Sequence, residues 1–351
     1  MNNLLEVTAD LVNRPSVSFN EAEFVDWLQS ELLTLDHLET TRIGDNLIAR
    51  TNLGRSERVI FAGHTDTVVP IGNQTARIEG DTVWGVGASD MKGGLAVFLE
   101  LARNVPEPTK DITYVFYARE EVAMVHSGIN EIIEQRPDLL DGDCAFLGEP
   151  TAASLEAGCQ GTMSFVLTLS GARAHTARPW MGRNAIHRLA PILFELEAFK
   201  VRTPTIGGCT FCESIQAVDI SGGIAGNVVP ESAVLRIHYR YAPDRTPAQA
   251  EGFVKNLLEP YLEPADTVEI IDRSPACLPN MDHPIFVDLA KKGNLEVKAK
   301  LGWTDVARFT GLGVPAVNFG PGDSLVAHSA DEHCLGKNLD STYQALFDLV
   351  S

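Results

Sequence analysis

Residues 59–67 read Val-Ile-Phe-Ala-Gly-His-Thr-Asp-Thr, an unbroken apolar run that stops at a glycine and then presents His-x-Asp. A strand that is apolar on both faces must be covered on both faces, the condition inside a parallel sheet sandwiched by helices. Residues i and i+2 of an extended chain point the same way. His64 and Asp66 therefore aim at one point past the carboxyl end of the strand, where open α/β sheets place their ligands. An imidazole and a carboxylate converging on one point suit a divalent transition metal such as zinc. In isolation, His-x-Asp after a strand is more often a surface turn, so the rest of the chain has to decide.

The pattern recurs. The apolar run 111–118 ends in Arg119-Glu120-Glu121, the run from Cys144 ends in Gly148-Glu149-Pro150, and the run 313–320 leads to Ala327-His328-Ser329. Between the first two runs, the glycine-rich stretch 83–94 opens an apolar helix over 95–103. Its spacing matches neither phosphate-binding glycine motif. The glycines instead let the backbone crowd in while Asp90 points at a site, and the two oxygens of that carboxylate could bridge two cations.

The character then changes. Residues 161–170 alternate apolar and polar, followed by a helix over 184–199, strands over 214–220 and 233–241, and a helix over 249–261. This order predicts a separate α+β layer over 161–273, inserted into an α/β domain formed by 1–160 and 274–351. A length of 351 residues makes two domains the default. Helices over 3–13, 20–34, 284–292, 304–310 and 338–350 complete the α/β part, with Asn20 and Glu23 forming a capping pattern for the second.

Composition narrows the partners. A net charge of −19 argues against nucleic acid and anionic membrane, because phosphate binding needs a basic face. There is no apolar run of the length that spans a bilayer. The start, Met1 to Glu6, has no basic region ahead of an apolar segment, so the cytoplasm is the expected location. The six cysteines are scattered, so disulfides are not expected, and Cys209-x-x-Cys212 lacks the second pair of a structural zinc site.

Taken in order, His64-x-Asp66, Gly87-Ala-Ser-Asp90-Met-Lys-Gly-Gly94, Glu120-Glu121, Gly148-Glu149-Pro150 and Ala327-His328 resemble the M20 family of metallopeptidases and co-catalytic zinc amidohydrolases, over essentially the whole chain. The resemblance implies a mixed-sheet zinc-peptidase-like α/β catalytic domain with an inserted α+β, ferredoxin-like lid and dimerisation domain. It implies two zinc ions, replaceable by cobalt, that share Asp90. His64 and Glu149 would complete one site, and Glu121 and His328 the other. Asp66 would orient His64, and Glu120 would be the general base, its place beside Glu121 putting it near the reacting water. The family commonly has a cis peptide after the shared aspartate, here Asp90–Met91.

The segment from Gly171 to Ala185 resembles the family's G-x-x-x-H…P…G-x-N-A stretch. That assigns His175 to the oxyanion in the other subunit of a homodimer. The same resemblance assigns Asn227, in Gly226-Asn-Val-Val-Pro230, to substrate, and Arg240 to a substrate carboxylate that its planar fork would match. The stretch Thr304-Asp-Val-Ala-Arg308-Phe is similar to a loop beside the second metal, making Thr304, Arg308 and also Arg178 candidate substrate contacts. Within the family the chain most resembles the actinobacterial type of the branch that hydrolyses N-succinyl-LL-2,6-diaminopimelate, a small N-acyl amino acid. It departs from many relatives at Trp303 and at Ala330-Asp331-Glu332. Acetylornithine deacetylases and N-acyl amino-acid hydrolases share every metal ligand. A non-catalytic binding relative is the alternative of a different class, and the intact Glu120 argues against it.

Overall fold

The structure, a computed structural model, describes residues 3–351. The chain folds into two compact units. The first is the chain up to Gly158 with Pro279–Lys298 and Thr304–Ser351; the second is Cys159–Leu278 with Ala299–Trp303.

The first unit is built on the apolar runs. Arg58–His64 is buried from Val59 onward and pairs in parallel with Asp111–Tyr117 on one side and Cys144–Leu147 on the other. Ala316–Asn318 joins Cys144–Leu147, again in parallel. The full order of the eight-stranded sheet is Glu39–Ile43, Asn46–Arg50, Asp111–Tyr117, Arg58–His64, Cys144–Leu147, Ala316–Asn318, Leu155–Ala157, Val297–Ala299. Glu39–Ile43 and Asn46–Arg50 are antiparallel, so the sheet is mixed. Continuous apolar sequence produces the parallel centre because both faces need covering. Among the helices of this unit, Gly93–Asn104 is buried along almost its whole length, and Leu4–Val12 and Gly336–Val350 pack on it.

One local difference from the sequence reading has a physical cause, and one expected feature is present. The second helix runs Ala22–Leu32 with Glu21, not Asn20, at its N-cap and no side-chain cap bond. The preceding residues are drawn to the end of a sheet strand: Val17 bridges Thr67, Thr67 N donates to Ser16 O at 2.9 Å and Ser18 N to Thr67 O at 3.2 Å. That pairing displaces the helix start by one residue. Ahead of Gly93–Asn104, residues Ala88–Lys92 form a wide helical turn broken at Asp90 (φ −124°, ψ 94°) and Met91 (φ −132°, ψ 36°), and the Asp90–Met91 peptide is cis. Crowding here is real. A methyl group on Gly94 or on Gly320 would collide with the carbonyl oxygen of Gly148.

The second unit is a four-stranded antiparallel sheet, ordered Ser214–Gly222, Ser232–Tyr241, Gly161–Ser170, Thr267–Ser274. Helices Ala185–Glu197 and Pro247–Leu258 complete the chain order strand-helix-strand-strand-helix-strand of a ferredoxin-like layer. Alternation explains the packing. Phe165, Leu167 and Leu169 with Leu235, Ile237 and Tyr239 form one core with Leu189, Ile192, Ala250 and Val254 of the helices. Thr246 and Gln249 form a reciprocal capping box at the start of Pro247–Leu258.

Candidate metal centre

His64 closes the central strand and is 1% exposed. Its Nδ1 lies 3.0 Å from the carbonyl oxygen of Asp66 and 3.5 Å from Asp66 Oδ1. A proton on Nδ1 donated to that carbonyl leaves Nε2 with a lone pair, and Nε2 faces Asp90 Oδ1 at 3.0 Å. The ring is therefore held mainly by the main chain of Asp66. The Asp66 carboxylate has a different set of partners: it accepts from Glu120 N at 2.9 Å, Glu121 N at 3.1 Å and Ser18 Oγ at 2.7 Å. Asp66 thus orients His64 with its carbonyl and holds the loop of Glu120 and Glu121 with its side chain.

Asp90 stands in the broken turn, with Oδ1 toward His64 and Oδ2 3.5 Å from His328 Nε2. His328 Nε2 is also 2.9 Å from Glu121 Oε1. Residues from three distant stretches, His64, Asp90 and Glu121, each offer a donor atom within 4.8 Å of the others. His328 (φ 60°) and Arg119 (φ 62°), the residue before Glu120, adopt left-handed backbone, which non-glycine residues tolerate chiefly where surrounding structure demands it.

The electrostatics are those of an acid cluster. Burial, reinforced by the charge of Glu149, pushes the Glu120 carboxyl well above the usual carboxylate range. Burial likewise raises Glu121, opposed by its hydrogen bond to His328. Burial works against ionisation of Asp90, yet the hydrogen bonds with His328 and His64 hold it well below the ordinary value. The counterpart is His328, raised to about 10 by Asp90 first and Glu121 second. His64 is raised too, its burial outweighed by Asp66 and Asp90. The leading charges acting on Glu120, Glu121 and Asp90 are those of acids and histidines, with no lysine or arginine among them. Imidazole lone pairs set against buried carboxylates, in negative excess, form the donor set of a divalent cation site. Metal therefore fits these residues.

Three nearby residues have no role in the sequence reading. Ser18 anchors Asp66 from 48 residues away, and no spacing signals it. Tyr117 is wholly buried at the end of its strand, its hydroxyl held far above the ordinary value by burial and then by the charges of Asp305 and Glu149. Asp305 is wholly buried, its Oδ1 2.6 Å from Arg308 Nε. Arg308 also donates to Asn130 Oδ1 and to Met124 O at 2.8 Å, so its guanidinium braces a loop of its own unit. Thr304 is buried, and its hydroxyl donates to Asn318 Oδ1 at 2.9 Å.

In the second unit, His175 is exposed on a short hairpin, opposite Val228 in an antiparallel pairing. Its Nδ1 accepts from Ala177 N at 3.0 Å, so a neutral ring carries its proton on Nε2 as a donor. Thr176 N donates to Asn227 O at 3.0 Å and Arg178 N to His175 O at 2.8 Å, which gathers His175, Arg178 and Asn227 at one place. Arg240 lies mid-depth on Ser232–Tyr241, on the side turned away from the helices. Burial alone lowers its guanidinium's affinity for a proton, and among the described residues it has no ion pair.

The sequence matches peptidase family M20/M25/M40 over residues 60–351. It is 44% identical to a Mycobacterium tuberculosis protein provisionally named succinyl-diaminopimelate desuccinylase, over 97% of this chain and 96% of that one. It is 39% identical to the succinyl-diaminopimelate desuccinylase of Corynebacterium glutamicum, over 93% of this chain and 90% of that one. A tripeptidase from Staphylococcus aureus has a similar structure, with a TM-score of 0.83 at 22% identity, covering 99% of this chain and 97% of its own.

Proposed function

Because the chain belongs to peptidase family M20/M25/M40, we propose that it is a metal-dependent amidohydrolase that splits N-succinyl-LL-2,6-diaminopimelate into succinate and LL-2,6-diaminopimelate. The observation that carries the chemistry is the convergence of His64, Asp90, Glu121 and His328 beside the raised carboxyl of Glu120. Full-length similarity to proteins named for this substrate supports the specificity.

In this reading His64, Asp90, Glu121, Glu149 and His328 hold two divalent cations, zinc with cobalt as a substitute. The cations, when bound, supply Lewis acidity to the amide carbonyl and to water. The protein's own groups do the rest. Asp66 fixes the ring of His64 and the N–H groups of Glu120 and Glu121. Glu120 takes a proton from the attacking water and returns it to the leaving amine. A carboxyl whose proton affinity is raised is suited to carry that proton between the two steps. His175, with its proton on Nε2, donates to the oxyanion of a second copy's substrate. Asn227, Arg178 and Arg240 contact the substrate, Arg240 through a carboxylate.

The trans role of His175 requires a homodimer. The edge strand Ser214–Gly222, with Val218 and Ile220 more than half exposed, is the element that pairs the copies. The cytoplasm is the proposed location; no helix among the described residues is long and apolar enough to cross a membrane.

The test is a hydrolysis panel on zinc-loaded protein comparing N-succinyl-LL-diaminopimelate with N-acetylornithine, N-acetyl amino acids and dipeptides. The highest kcat/KM should fall on the succinyl substrate. A preference for acetylornithine or a dipeptide would overturn the specificity and leave the hydrolase reading in place. A fully active monomer in light scattering would remove His175 from the mechanism.

A further inference from the structure

The segment that delivers His328 also delivers Glu332, which the site described above leaves unused. Glu332 is 1% exposed. Its Oε1 accepts from two successive backbone N–H groups, Ser89 N at 3.1 Å and Asp90 N at 3.0 Å. Its own carbonyl oxygen accepts from Gly85 N at 3.0 Å. These bonds fall where the main chain needs them. At Asp90 and Met91 the backbone leaves helical geometry, and the regular helix begins only at Gly93. Buried N–H groups outside a ladder require acceptors, and here one carboxylate oxygen serves two of them.

The charge has a counterpart as well. Lys92 is 1% exposed, its Nζ donates to Leu11 O at 3.0 Å and Arg14 O at 2.6 Å, and the leading charge acting on it is that of Glu332. Two buried titratable groups thus adjoin the Asp90 turn, and burial works against the charge of each.

We propose that Glu332 is a positioning residue of the metal centre: its carboxylate fixes the peptide of Asp90, and so sets the directions in which Asp90 presents Oδ1 toward His64 and Oδ2 toward His328. This rests on the reading of Asp90 as the shared ligand. Glu332 lies four positions after His328, so a single short segment carries both the terminal ligand and the anchor of the shared one. Changes to that segment would shift the two together.

The test reads metal directly. Metal-free protein is titrated with Co2+, followed by visible d–d absorption and by calorimetry, with thermal melting of the metal-free form as the control for folding. Glu332→Gln keeps an oxygen at the same reach and should bind Co2+ with the wild-type spectrum. Glu332→Ala should bind about 10- to 100-fold more weakly, the usual consequence of losing a group that orients a ligand, with an altered spectrum. Its kcat should drop while KM is held. A purely structural role would lower the melting temperature of the metal-free form and leave Co2+ affinity and spectrum untouched, which would overturn the proposal. If the alanine variant does not fold, Glu332→Asp withdraws the carboxylate by one methylene and should show the same weakening; wild-type Co2+ binding there would overturn it equally. A wild-type chain that takes up no Co2+ would overturn the metal centre itself, and this proposal with it.

Discussion

The acid cluster around Asp90 and the second unit bury charge in opposite ways. In the unit around Cys159–Leu278, buried acids meet arginines and N–H donors. Asp266 pairs with Arg188 at 2.7 Å and accepts from Ser170 N and Glu263 N, each at 2.8 Å. Glu213, wholly buried, has Arg202 at 3.2 Å, Arg245 at 3.7 Å and the Ala242 N–H at 3.1 Å. In the other unit, Asp90, Glu120, Glu121 and Glu149 face one another and two histidines. A buried charge is tolerated when paired and hydrogen-bonded. The first arrangement meets that condition from within the protein. The second would meet it with divalent cations bound, which is the physical basis for proposing that the cluster is functional rather than structural.

The contrast is open to direct attack. The largest effect should come from Glu120→Gln, which leaves the ligands intact: metal content by atomic absorption should be unchanged and kcat should fall about 10²- to 10⁴-fold, the range for loss of a general base. Near-wild-type turnover would mean that the raised carboxyl is incidental.

Next in size is Asp266→Ala, which strands Arg188 in a half-closed site. It should cost about 3 kcal/mol in denaturant unfolding, the lower end for breaking a buried pair, while leaving kcat and metal content as they were. The sign of its pH dependence follows from the shift. Although burial opposes it, the hydrogen bond from Arg188 lowers Asp266 to about 2 in the folded chain. Its contribution is therefore present above the unfolded value of about 3.9 and is lost as pH falls through about 2.

Chelation should act on the other unit. Removing metal present at about 100 times its Kd forfeits about 2.7 kcal/mol of stabilisation per site, so calorimetry of the metal-free form should show the unit with His64 melting earlier. An unchanged melt would show that the acids are satisfied without cations.

The smallest effect tests the exception in the second unit. Arg240, with no acid beside it among the described residues, should behave as a substrate contact: Arg240→Lys should raise KM about tenfold, equivalent to about 1.4 kcal/mol, with no loss of stability. A drop in stability at constant KM would return it to the structural group.

Much of this was legible because strands advertise themselves. Unbroken apolar runs drew attention to His64, Glu120-Glu121 and Glu149 just past them, and His64 and Glu121 do come together with Asp90; the alternation at 161–170 marked the layer with one buried face. What was not legible depends on interactions between distant stretches. Nothing in the spacing says that Asp66 holds His64 by its carbonyl, or that Ser18 reaches Asp66. The Asn20 capping pattern was sound locally and was overridden by the Val17–Thr67 bridge. Thr304 and Arg308 have the chemistry of substrate contacts, and nothing in the spacing says that Asn318, Asp305 and Asn130 partner them.

Gly94, Gly148 and Gly320 bring a helix, a turn and a strand end so close that main chain touches main chain. The junction just before Glu149 therefore has no room for a side chain at any of the three. A saturation library should find these three positions frozen while their surface neighbours vary.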